Sequence, residues 1–569
     1  MILLVKKHWA ALLLALVASL IVLAPNAMLW REPEFKGIEM MMLDAENHYL
    51  ARVAEVSQGH VTAGNTFLPD KDIAYATPAL GEGIIAFFGK AVHLEPARAA
   101  VVSKSISVFF ITLLIYALAF ALSGSLTASL LAAAVPVLGY NLIAFSPAPF
   151  LDLLRGSPSG GPFVFFSRLV NPSIAAIFMF ASLLLMFREF FQRERTTLLS
   201  VTIVGLLVGL TLYVTPFTYT FLGLVIFLSL LWFLMQKKYE KASYVFLSGT
   251  VGLLVAIPFL INYMALSALP GYEHLSQFLG LVHRREFILG SLLPLMALTA
   301  GFLWPKQFSK PGKAFFLILC AALLLVLNQQ LLTGSYLQPG HYHWYLTKPI
   351  AGIIAGLFAG YLVERFVPIR VRIPATAVLV ALLVYNSMGF LAPWYQSTRA
   401  NALSQQSYGP LVEYLNTTQA RQVVWTDEYS SDFIPIYTHH DAPNSINVGS
   451  YPIPQTFFEE RLFLEYRLRG VLPKDFETLI RAESHHVGDR LWGLWLREKF
   501  GDPSAVPEEE FGKLSQGYAA FYALPWSKAF DALGITLVVS RIGDVGEYSK
   551  VPALQEQARV GDFVIFVLR

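Results

Sequence analysis

Nine residues, Asp44-Ala45-Glu46-Asn47-His48-Tyr49-Leu50-Ala51-Arg52, gather two carboxylates, an imidazole, a phenol and a guanidinium. As a helix they set Asp44, His48 and Arg52 four apart on one face, with Glu55 close by. Carboxylates two residues apart suit two kinds of chemistry. Asp44 and Glu46 can together orient a divalent cation, Mg or Mn, or one can take a proton while the other holds a cation. Held against a bilayer, such a cluster suits a lipid-borne substrate. The bland reading is a solvated loop helix capped by Asp44, with Arg52 as a salt-bridge partner.

Two further stretches carry donors. Residues 333–348 run Thr-Gly-Ser-Tyr336-Leu-Gln338-Pro-Gly-His341-Tyr342-His343-Trp344-Tyr345-Leu-Thr-Lys348. His341, His343 and Lys348 suit phosphate oxygens, and the rings suit sugar faces or prenyl chains. Trp and Tyr also form ordinary membrane-interface belts, which is the competing reading. Residues 272–286 hold Arg284 and Arg285, which suit an anion or, more plainly, lipid headgroups. Arg168, before Asn171-Pro172, is a similar candidate. The tail pairs His439-His440-Asp441 and His485-His486 lack metal-ligand spacing. Walker A, dinucleotide-binding, G-x-S-x-G and H-E-x-x-H signatures are absent from the sequence.

The rest of the chain must hold these residues at a bilayer. Of 569 residues, 55% are hydrophobic and 14% charged, far below the roughly one quarter charged of a soluble domain. The net charge of +3, without a basic stripe, excludes a nucleic-acid partner. The single cysteine, Cys320, sits in an apolar run and excludes an intrachain disulfide.

Segments long and apolar enough to span are expected at 8–24, 101–122, 126–145, 172–187, 197–213, 217–235, 243–261, 287–303, 314–332, 347–363 and 374–392, about eleven in all. The first follows Lys6 and Lys7 without a cleavage site and reads as an uncleaved transmembrane helix. With the N-terminus cytoplasmic, the inside loops carry Lys6/Lys7, Arg188/Arg193/Arg195, Lys237/Lys238/Lys241, Lys306/Lys310/Lys313 and Arg365/Arg370/Arg372. The polar loops, including 25–100, and everything after 393 then lie outside. Within the first loop, Gly81–Leu94 reads as an interfacial helix or as a buried loop helix. The expected division is a membrane domain, 1–392, and an extracytoplasmic α/β domain, 393–569. In the latter, strands near 422–425, 535–539 and 563–567 alternate with helices near 456–468, 472–484 and 489–499.

A many-helix membrane protein with Asp-x-Glu in a long first outer loop, a following Tyr and Arg (Asp44, Glu46, Tyr49, Arg52) and an outer C-terminal domain resembles the GT-C glycosyltransferases. These include oligosaccharyltransferase catalytic subunits, protein O-mannosyltransferases and aminoarabinose transferases. The resemblance implies a polytopic α-helical GT-C-like fold and transfer of a sugar from a polyprenyl-phosphate or -diphosphate carrier. It implies catalysis by Asp44 first and Glu46 second, with a metal at that pair in some branches. Donor phosphate binding then falls to His48, Tyr49, Arg52, Arg168, Arg284, Arg285, His341, His343 and Lys348. The tail lacks a W-W-D-x-G motif, a departure from Asn-glycosylating members. The implied partners are the lipid-linked donor, a glycan, lipid or protein acceptor, and membrane lipids. The rival classes are a transporter or flippase, which would show ionisable residues at mid-membrane and internal repeats, and a non-catalytic envelope assembly protein.

Overall fold

The computed structural model describes residues 2–40, 46–157, 165–288, 290, 292–306, 308–336 and 338–569. Asp44 therefore lies outside the described residues. Among the described residues, eight helices are long and apolar enough to cross a membrane. They are Lys6–Leu29, Pro96–Ser123, Ser173–Gln192, Pro216–Met235, Tyr239–Ser267, Lys310–Thr333, Pro339–Phe366 and the first part of Ile369–Asn416.

The other three expected positions are also helical but shorter. Leu126–Leu138 has 13 residues, Leu198–Thr211 has 14 and Leu292–Phe302 has 11. At 1.5 Å per residue they reach only about 17–21 Å against a core of about 30 Å. Local chemistry sets two of these limits. Ser125 and Thr197 cap the starts of their helices with side-chain oxygens. The chain leaves Leu126–Leu138 at Gly139 and enters a 3-10 turn, Tyr140–Leu142. Pro216 opens the next helix after Leu198–Thr211, behind an extended Thr215.

A stripe of small residues brings the donor-rich segment into place. Gly352, Gly356 and Gly360 repeat every fourth residue on helix Lys348–Phe366. A Cβ on Gly356 would stand 2.4 Å from Ala132 Cα, and one on Gly360 2.2 Å from Ala128 Cα. Only glycine admits this approach, so the helix starting at Lys348 lies directly on Leu126–Leu138, which leads to Tyr140.

Two short strands, β1 (Val282–His283) and β2 (Ser335–Tyr336), pair antiparallel and join the 279–288 loop to the 333–343 loop. The C-terminal sheet uses β3 (Val424–Trp425), β4 (Leu537–Arg541), β5 (Leu554–Val560) and β6 (Phe563–Leu568), ordered β3-β4-β6-β5. β3 and β4 run parallel, the other pairs antiparallel. Helices Gln455–Leu468, Pro473–Ala482, Ser484–Trp492, Trp495–Phe500 and Glu508–Tyr522 fill the crossover.

Helix Arg372–Ser404 runs unbroken through Pro393. One apolar core joins Leu50, Val53 and Ile85 of the first loop and Leu169 to Trp425, Leu462 and Trp492 of the tail. A separate core fills the helical bundle. The first loop and the tail thus fold as one layer over the bundle.

Candidate functional site

The motif forms helix Glu46–Ser57, buried on several sides rather than along one stripe. Each of its polar residues has a distinct environment. The Glu46 carboxylate is fully buried and receives Lys104 Nζ at 3.1 and 3.2 Å and the Leu169 N–H at 3.1 Å. Lys104 is 2% exposed. It extends from helix Pro96–Ser123 and was not among the expected site residues. The signal was present: a lone lysine at the head of an apolar span.

Asn47 donates to Asp432 at 3.2 Å, and Asp432 also receives Ser445 Oγ at 2.5 Å and Asn447 at 3.1 Å. Burial pushes the Asp432 carboxyl up despite these donors. A carboxylate of the tail thus grips the start of the motif.

His48 and Tyr49 face Arg168. Burial, then the Arg52 and Arg168 charges, pull His48 down to about 3, so its imidazole is neutral at ordinary pH, and its buried Nδ1 has no hydrogen-bond partner among the described residues. Burial raises the Tyr49 phenol. The Arg168 guanidinium lies 5.8 Å from the Tyr49 ring centre and donates to the Tyr345 hydroxyl. His341 stacks on Tyr345 at 4.9 Å and lies tilted against Phe217 at 4.6 Å. Arg168 therefore bridges the first-loop motif and the 339–348 segment.

The ring chain continues. Phe165 lies 5.6 Å from Tyr345 and stacks on Tyr140 at 4.0 Å. Lys348 Nζ sits 4.5 Å from the Tyr140 ring centre and 4.8 Å from that of Trp344. Lys348 is 9% exposed, and among the described residues it forms no ion pair. Three and seven residues on, Ala351 and Ala355 line an apolar groove of about 650 Å³ with Leu131, Ile143, Phe150 and Leu383. That spacing puts both alanines on the same helix face as Lys348.

Other expected donors stand apart. Arg52, 1% exposed, bonds Glu82 at 2.6 Å and the Thr77 and Pro78 carbonyls at 2.8 and 3.1 Å, clamping the motif helix to helix Leu80–Ala91. Glu55 joins Lys71 (3.2 Å) and Arg421 (3.2 Å), which also meet Asp441 at 2.6 and 3.4 Å. Arg284 reaches the Lys499 carbonyl at 3.4 Å and covers Tyr336, while Arg285 is exposed beside Gly334. His343 abuts Gly290 and packs edge-on to Trp344 at 5.0 Å. His440 bonds backbone on both ring nitrogens, with Gln422 N–H and the Leu415 carbonyl.

Among the described residues, no three His, Cys, Asp or Glu side chains gather to hold a metal. The Glu46 half of the expected metal pair already carries an ammonium and a backbone N–H, a donor environment unsuited to a divalent cation.

No family model and no curated protein matches this sequence. Solved structures do. ArnT from Cupriavidus metallidurans, bound to undecaprenyl phosphate, is 12% identical, with a TM-score of 0.50 over 99% of this chain and 98% of that chain. The archaeal oligosaccharyltransferase AglB from Archaeoglobus fulgidus, in complex with an inhibitory peptide and a dolichol-phosphate, is 12% identical. Its TM-score is 0.43, over 95% of this chain and 70% of that chain. From its first helix to its C-terminal sheet, the chain shares the overall fold of ArnT.

Proposed function

We propose that the protein is an integral-membrane glycosyltransferase moving a sugar from a polyprenyl-phosphate or -diphosphate carrier to a hydroxyl of a glycan, lipid or protein acceptor. One observation carries this reading. The buried Lys348 ammonium has no carboxylate partner among the described residues and shares a helix face with an apolar groove. A phosphate headgroup matches the cation, and a prenyl chain matches the groove. The undecaprenyl phosphate bound to ArnT, a protein of the same fold, supports that ligand class.

In the proposed reaction the acceptor oxygen attacks the anomeric carbon and its proton passes to a carboxylate, which we assign to Asp44. The bond from that carbon to the phosphate oxygen breaks, and the electron pair leaves with the phosphate. Lys348 and Arg168 stabilise the developing charge. Glu46, held by Lys104, bonds the Leu169 N–H and so positions the loop that carries Arg168. His48, neutral, offers a hydrogen bond rather than charge.

The same proposal sets the N-terminus in the cytoplasm, the first loop and tail outside, and the domain division at 392/393. The basic residues of the 188–195, 237–241, 306–313 and 365–372 loops support that orientation. Radiolabelled polyprenyl-phosphate sugars, offered to purified protein with envelope acceptors, test the reading. Label should leave the carrier as polyprenyl phosphate forms. Label retained on every carrier by folded protein overturns it.

A further inference from the structure

A second cavity, about 580 Å³, lies at the far end of helix Pro96–Ser123 from Lys104. Phe120 lines it, about 24 Å along that helix from Lys104 at 1.5 Å per residue. The proposed transfer chemistry does not use it. Its lining joins the start of the first helix (His8), the end of Pro96–Ser123 (Tyr116, Phe120, Ser123) and the π-helical turn Phe187–Gln192 (Arg188, Gln192).

Three observations define its ligand. First, the lining contains cationic and neutral polar residues but no Asp or Glu. Arg188 is exposed and forms no ion pair among the described residues, and Lys7 Nζ stands 5.2 Å from the centre of the Phe120 ring. Second, the polar groups are fixed. Tyr116 OH and His8 Nδ1 are 2.6 Å apart where the first helix departs from helical geometry at His8, and the π-turn sets the backbone of Arg188 and Gln192. Third, the two long helices that contribute to the lining expose large apolar side chains elsewhere along their length. Trp9 is 60% exposed, followed by Leu13 at 50% on the same helix and Phe110 at 49% on the neighbouring one. A tryptophan beside lysines marks the headgroup level, and apolar side chains beyond it mark the path of acyl chains.

We infer that this cavity binds the headgroup of an anionic phospholipid, with Arg188 and Lys7 on the phosphate and the chains along the Leu13 and Phe110 faces. A guanidinium matches phosphate oxygens in a planar fork, and basic residues near a membrane surface attract anionic lipid. The inference does not depend on the transfer reaction.

Native mass spectrometry of the full-length protein, released from micelles doped with phosphatidylglycerol or phosphatidylcholine, tests it. One phosphatidylglycerol should be retained at least about tenfold more tightly than phosphatidylcholine, as two basic contacts imply. The Lys7→Gln, Arg188→Gln pair should abolish the preference, Arg188→Lys should keep most of it, and Arg370→Gln, on another exposed loop, should leave it intact. Excess inorganic phosphate should not displace the lipid. Equal retention of the two lipids, or an undiminished preference in the double variant, overturns the inference. Displacement by inorganic phosphate overturns the lipid assignment and makes the cavity a free-anion site.

Discussion

Glu46 and Lys104, from the first-loop motif and the second long helix, form an ion pair at 3.1 Å with both side chains at most 2% exposed. Removing one partner from such a pair strands a buried charge and typically costs about 3–5 kcal/mol. Glu46→Gln and Lys104→Met should each lower the unfolding temperature in detergent, and the double variant should lose less than the sum. Additive losses in that cycle would show that the two residues are not coupled.

The pH dependence has a definite sign. Burial lowers His48 to about 3 and His274 to about 4, below the ordinary value near 6.5. The unfolded chain therefore binds more protons across that interval, so stability falls as pH drops below about 6.5, by up to about 1.4 kcal/mol per pH unit for each group. Thermal unfolding followed from pH 7 to pH 4 should show this slope, and His48→Gln should flatten it. A slope unchanged by His48→Gln would mean that the imidazole is not buried neutral.

Much of this fold was legible because its signals are local. The spans follow from runs of apolar residues, and β6 from an apolar strand-length run. Helix Leu80–Ala91 forms where an interfacial or buried loop helix was expected over 81–94, with Phe87 exposed and Ile85 buried. The β5 strand, Leu-Gln-Glu-Gln-Ala-Arg-Val, was not legible, because an edge strand with mostly exposed side chains lacks an apolar alternation. The helix expected over 489–499 is instead two, parted at Gly493, whose φ of +53° breaks the helix. Within the site, helical spacing placed Asp44, His48 and Arg52 on one face but could not reveal what each meets. Arg52 is consumed by Glu82, 30 residues away, and Glu55 by Lys71 and by Arg421 of the tail. Those pairings are set by tertiary packing, which sequence spacing does not encode.

Orientation is open to direct labelling. Cysteine at Ser125 or Lys310 should resist a membrane-impermeant reagent in intact cells, and cysteine at Ser484 should react. The native Cys320 is fully buried and should stay silent. Reaction at Ser125 and Lys310 with Ser484 protected would invert the molecule and place the proposed site on the cytoplasmic side.

Asp44→Asn deletes the proposed base while keeping its shape, so the protein should fold and insert normally. Loss of a general base typically lowers the rate about a hundredfold to ten-thousandfold. Glu46→Gln should instead lose activity in step with stability. Near-wild-type transfer by folded Asp44→Asn would remove the proton-accepting role from that residue.

The central claim is that a polyprenyl phosphate lies with its phosphate at Lys348 and Arg168 and its chain in the adjoining groove. A structure determined in nanodiscs with bound polyprenyl phosphate, paired with binding to Lys348→Met, tests it most directly. The account predicts phosphate density within hydrogen-bond reach of Lys348 Nζ and chain density along Ala351, Ala355 and Leu383. It also predicts affinity weakened about tenfold to a hundredfold by Lys348→Met, the cost of a lost charge-assisted contact. Phosphate density elsewhere, with binding unchanged in Lys348→Met, would contradict it.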